Sequence, residues 1–110
     1  MNKYEITTLE LKKLLDDGKR VFLLDVREAY EHERLNIGGT LIPLNQLRHR
    51  FRELDSEDEI VVYCMRGNRS AYAVNFLVQR GFKNVKNLVG GLKDWPQHEA
   101  PESNPEARLR

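Results

Sequence analysis

The chain holds one cysteine, Cys64, in 110 residues. An internal disulfide and a cysteine-rich zinc site are therefore excluded, and Cys64 is either a small buried hydrophobe or a chemical group. A surplus of one charge is missing too: 18 basic residues stand against 17 acidic ones, a net of +1. No global field gathers nucleic acid or an anionic membrane, so neither is an expected partner and any anion recognition has to be local. No segment approaches the roughly 20 apolar residues that span a bilayer. The opening Met1-Asn2-Lys3-Tyr4-Glu5 leads into no apolar targeting core, and a cytoplasmic location is the expectation. His32, His49 and His98 form no pair at metal-ligand spacing. Each reads as a surface histidine, and neither a metal nor a cofactor is expected.

What is present suffices for one domain with a modest core, since 40% of the residues are hydrophobic. Thr7-Thr8-Leu9-Glu10 has the form of a capping box and predicts a helix start. Leu11, Leu14 and Leu15 continue it at helical spacing as far as Gly18. Val21 to Val26 and Ile60 to Tyr63 are continuous apolar runs, the pattern of strands covered on both faces, and the helical segments between them predict a parallel sheet between helices. Leu44, Leu47, Phe51 and Leu54 mark an amphipathic helix whose arginines face solvent. Ala71 to Arg80 predicts a largely buried helix closed by Gly81, and Val85 to Val89 a last strand. Gly90-Gly91 then reads as a turn, and Leu92 to Trp95 as a helical turn that lays the tryptophan on the body. Residues 1–97 are expected to form the domain. The polar composition of 98–110 predicts a frayed tail.

The chemistry concentrates in Ile60-Val61-Val62-Tyr63-Cys64-Met65-Arg66-Gly67-Asn68-Arg69-Ser70-Ala71, a buried strand, a polar loop and a buried helix. Ligands of open α/β sheets collect at the carboxyl ends of parallel strands, where helix N-termini also present unpaired N–H groups. Gly67 permits a turn that other residues resist, so the amides from Met65 to Ser70 can curl into an anion-binding nest around the sulfur. With Arg66 and Arg69 in the same loop, both a helix terminus and cations are available to favour thiolate. A merely structural Cys64 would leave two arginines, an asparagine and a glycine after a core strand without a task.

These residues resemble the rhodanese family. Cys64-Met65-Arg66-Gly67-Asn68-Arg69-Ser70 is similar to its C-x-x-G-x-R-S loop, Leu24-Asp25-Val26-Arg27-Glu28 to its D-V-R-E segment, and Gly90-Gly91-Leu92-Lys93-Asp94-Trp95 to its closing G-G-x-x-x-W. The resemblance spans about residues 4–97. It implies an α/β fold with a five-stranded parallel sheet flanked by helices on both faces, and a cysteine that cycles between thiolate and persulfide. It also implies roles: Cys64 as sulfur carrier, the backbone of Met65, Arg66, Gly67, Asn68, Arg69 and Ser70 as the cradle, and Asp25 and Arg27 as support. One segment departs. Leu35-Asn36-Ile37-Gly38-Gly39-Thr40 stands where the family commonly shows G-H-I-P-G-A, with asparagine for histidine and glycine for proline.

The function expected from this reading is sulfur transfer from a small anionic donor such as thiosulfate to an external thiol, a sulfur-acceptor protein or cyanide. Arg66 would draw the dianion in. With no second cysteine the persulfide cannot be resolved within the chain, so the acceptor must come from outside. Arg69 either faces substrate or ties the loop to a carboxylate, and Asp25 with Arg27 reads as a loop-orienting network. The alternatives are a binding or regulatory module on the same fold, a cysteine phosphatase or arsenate reductase, and a Cys/His hydrolase using His32. Phosphatases of this kind carry C-x5-R, whereas Cys64 to Arg69 is the tighter C-x4-R.

Overall fold

The computed structural model describes residues 2–95, so the tail expected at 98–110, and His98 in it, lie outside the described residues. Five strands make one sheet: β1 (Glu5–Ile6), β2 (Phe22–Asp25), β3 (Thr40–Leu41), β4 (Ile60–Tyr63) and β5 (Val85–Leu88). Their order is β1-β5-β4-β2-β3 and every neighbouring pair is parallel. A parallel return needs a crossover, and four helices serve: α1 (Thr8–Asp16), α2 (Ala29–Arg34), α3 (Leu44–Arg50) and α4 (Asn68–Gln79). The α/β fold expected from the sequence is the one found.

The central strand β4 is buried throughout. Its side chains alternate, so Ile60, Val62 and Cys64 enter one core with Leu47, Ala73 and Leu77 beneath α3 and α4, while Val61 and Tyr63 enter a second core with Leu11, Leu88, Leu92 and Trp95 beneath α1 and the C-terminal turn. Having two cores is why the run is apolar without interruption. At the start of α1, Thr7 and Glu10 form the expected reciprocal cap at 2.9 and 3.1 Å.

Four readings need adjustment. The strand expected over Val21 to Val26 is Phe22–Asp25, and the one expected to reach Val89 ends at Leu88. The helix read from Leu44 to Leu54 is α-helical only to Arg50 and closes in a tighter turn, Phe51–Glu53, which sets the Phe51 ring edge-on against Phe76 at 5.6 Å. Helix α4 begins at Asn68 rather than Ala71, because Gly67 takes a left-handed φ of 96° and the chain turns helical at once. It is also half-buried rather than largely buried. Ser70, Ala73, Val74 and Leu77 face the core, while Tyr72 is 67% exposed. An apolar count overstated burial there, since alanine and tyrosine both tolerate a wet face.

Candidate active site

Cys64 follows β4 directly, and the alternation of the strand turns its side chain toward the first turn of α4. Gly67 brings the chain back over it. The N–H of Gly67 donates to the sulfur at 3.1 Å and the N–H of Ser70 at 3.4 Å, while the Ser70 hydroxyl lies 3.3 Å away. Of the cradle expected from Met65 to Ser70, the backbone N–H groups of Gly67 and Ser70 hydrogen-bond the sulfur, with the Ser70 hydroxyl in contact beside them. Burial alone would push the thiol up, but the Ser70 hydroxyl and the backbone of Ser70, Gly67 and Arg66 outweigh it and leave the thiol below its ordinary value. Met65 is half-buried, and Arg66 and Asn68 are exposed at the mouth.

The loop is clamped from behind by the Gly90-Gly91 turn. Leu92 N–H donates to the Cys64 carbonyl and Lys93 N–H to the Met65 carbonyl, both at 3.0 Å. A Cβ on Gly91 would lie 2.5 Å from those two carbonyl oxygens, so only glycine lets the backbones approach this closely. Trp95 and Leu92 are buried in the second core and fix the turn. Two of the sequence segments singled out separately therefore form one structure.

Two residues of the site had not been singled out. Asn87 on β5 is 8% exposed, accepts from the Ser70 hydroxyl and donates from Nδ2 to the Gly67 carbonyl at 3.2 Å. A polar residue between Val85 and Leu88 in a buried strand was its signal. Glu31 on α2 takes the Arg69 guanidinium in a two-pronged pair at 2.8 and 3.0 Å. The Arg69 hydrogen bonds hold the Glu31 carboxyl down to about 2, and the carboxylate raises the guanidinium in turn. Arg69 is thereby tied to a carboxylate, one of the two roles left open for it.

Asp25 and Arg27 form a buried pair at the end of β2. Asp25 Oδ1 accepts from Arg27 N and Nε, both at 3.0 Å, and Oδ2 from Nη2 at 2.9 Å. The same Nη2 donates to the Leu35 carbonyl, and the guanidinium sits 5.8 Å over the Tyr63 ring. His32 is not the surface histidine expected: it is half-buried, with Nδ1 2.8 Å from Asp25 Oδ2. The network reaches the thiol only indirectly, by seating α2 and hence Glu31. Among the described residues no histidine hydrogen-bonds the sulfur, no cluster of His, Cys, Asp and Glu is placed to hold a metal ion, and no helix is long and apolar enough to cross a membrane.

A cysteine held by backbone amides at the carboxyl end of a central parallel strand is the arrangement the sequence resemblance implied. Comparison with known families gives a match to the rhodanese-like domain over residues 7–98. The chain belongs to the rhodanese-like domain family. Among its relatives, the thiosulfate sulfurtransferase GlpE of Haemophilus influenzae is 33% identical, with 92% of this chain and 95% of that protein covered. YrkF of Bacillus subtilis is 39% identical over 83% of this chain, which spans about half the length of that relative. The rhodanese-related protein from Thermoplasma volcanium superposes with a TM-score of 0.79 at 33% identity, covering 88% of this chain and 94% of the other.

Proposed function

We propose that this rhodanese-like domain is a sulfurtransferase in which Cys64 carries the sulfur. The observation that carries the proposal is the ring of donors aimed at Cys64 Sγ, which favours an anion at that atom and does not involve a histidine base. The thiolate attacks the sulfane sulfur of thiosulfate, forms the S–S bond and expels sulfite, leaving Cys64–S–S⁻. An acceptor then takes the outer sulfur and returns the Cys64 thiolate; with cyanide the product is thiocyanate. Each step passes one sulfur atom and conserves charge, and the covalent intermediate divides the transfer into two displacements. Exposed Arg66 at the mouth draws the dianionic donor in. GlpE, similar over nearly its whole length, supports thiosulfate as the donor class. The grip of Glu31 on Arg69 counts against a cysteine phosphatase, which needs that guanidinium turned to the substrate.

The test is intact mass after incubation with thiosulfate and then with cyanide, with Cys64→Ser alongside. We expect a gain of one sulfur on the native chain only, removed by cyanide as thiocyanate. A native chain that takes up no sulfur from thiosulfate or from a persulfide-bearing donor would leave the binding-module reading in its place.

A further inference from the structure

The Ser70 hydroxyl has one proton and two acceptors beside it, Asn87 Oδ1 and Cys64 Sγ. The orientation of the Asn87 carboxamide is set from its other end. Nδ2 donates to the Gly67 carbonyl at 3.2 Å, and a flipped amide would put Oδ1 against that carbonyl, acceptor against acceptor. Oδ1 therefore faces Ser70, and the short contact between the two oxygens requires the serine proton between them. While Cys64 is a thiol, its S–H can donate to the free lone pair of Ser70 Oγ. The thiolate has no proton to give and needs one, and the hydroxyl can supply it only by leaving Asn87. All of these groups are buried, so water does not readily stand in for either partner.

We propose that Asn87 is a positioning residue that competes with Cys64 for the Ser70 hydroxyl proton, holding it while Sγ is a thiol or a neutral persulfide sulfur and yielding it while Sγ is a thiolate. The assignment rests on Cys64 being the reacting thiol. It gives the site a hydrogen bond that follows the charge: strong on Sγ when Sγ attacks or leaves, withdrawn when the charge sits on the outer sulfur. The charged groups around the sulfur do not offer the same control. Arg69 on α4 is neutralised by Glu31 of α2, Lys93 and Asp94 on the covering turn pair with each other, Asp25 and Arg27 on β2 pair with each other, and Arg66 points to solvent.

The experiment measures the apparent thiol pKa of Cys64 from the pH dependence of its alkylation by iodoacetamide, in the native chain, Asn87→Ala, Ser70→Ala and the double variant. Competition predicts that Asn87→Ala lowers the pKa by about 0.5–1 unit, the size of one released hydrogen bond. Ser70→Ala raises it by a similar amount, and Asn87→Ala then adds no shift in the Ser70→Ala background. A residue that only braced the loop would do the opposite: its loss would raise the pKa and do so equally with or without Ser70. A rise, no shift, or a shift that survives Ser70→Ala overturns the proposal. Asn87→Val, which suits a strand and also lacks the carboxamide, replaces the alanine variant if that one does not fold. Sulfur uptake is read separately on the same samples by mass. Failure to take up sulfur together with the expected pKa pattern would sink the proposed function and leave the Asn87 assignment standing.

Discussion

Replacing Asp25 by asparagine tests the buried pair that seats α2. Arg27 is 1% exposed and Asp25 0%, so neither charge is relieved by water. The carboxylate meets three Arg27 donors on its two oxygens and His32 as well. The asparagine keeps the shape but loses the charge, and in either orientation its NH2 group meets an Arg27 donor, at the Oδ2 position His32 as well. A guanidinium cannot shed its proton to escape, so it stays charged, buried and half-satisfied. Breaking such a pair from one side costs about 3–5 kcal/mol, a large share of the roughly 5–15 kcal/mol that holds a small domain together. Urea unfolding followed by the fluorescence of the one tryptophan, buried Trp95, reads the loss as a fall in midpoint at unchanged slope. Adding Arg27→Met to Asp25→Asn removes the stranded charge and should recover about 2 kcal/mol or more of the deficit. A single-variant loss below about 1 kcal/mol, or a double variant no better than the single, would refute the reasoning.

Glu31→Gln removes the carboxylate that holds Arg69. Its folded carboxyl sits at about 2 against an ordinary 4.5, so its stabilisation is complete above about 4.5 and is lost as pH falls toward 2. With the Arg69 side chain 38% exposed, screening reduces this to about 1–2 kcal/mol, and the variant should show that deficit at pH 7 with a flatter acid limb in pH-dependent urea melts. Gly91→Ala drives a Cβ to 2.5 Å from the Cys64 and Met65 carbonyls at a φ of 63°, and should cost about 2–4 kcal/mol with slower alkylation of Cys64. Gly18→Ala is the control. It has a φ of 75° but nothing within 4 Å, so only backbone strain of about 1 kcal/mol is expected, with no change at the thiol.

The parts of the site that the sequence made legible are those in which local chemistry and tertiary position coincide. Cys64, Gly67 and Ser70 lie within seven consecutive residues, and the strand before them is apolar enough to announce its burial. Gly90-Gly91 was readable as a turn, but not as the clamp on the Cys64 loop, because that depends on β5 lying beside β4 in the sheet. Asn87 and Glu31 meet the loop from 20 and 38 residues away. A pattern of period 2 can flag a polar residue inside a buried strand, as at Asn87, but no pattern of period 2 or 3.6 says which distant group such a residue will meet. Strands β1 and β3 have two residues each, too short for any periodicity, and they exist because the edges of β5 and β2 supply the partners.

The two departures from the usual family pattern at residues 36 and 38 are one change. Gly38 has a φ of 93°, which proline, fixed near −65°, cannot adopt. Its N–H donates to Asn36 Oδ1 at 2.7 Å, and a proline has no N–H to give. Asn36 Nδ2 in turn donates to the His32 carbonyl at 2.8 Å, satisfying an acceptor left open at the end of α2. The asparagine supplies the acceptor that the glycine N–H needs, and the glycine supplies the turn that brings its N–H to the asparagine. The loop is therefore retied rather than loosened. It still delivers the Leu35 carbonyl to Arg27 and buries Ile37 in the second core. The same tie keeps His32 at the helix end where Asp25 can reach it. The network behind the cysteine loop thus survives a change in the segment that frames it.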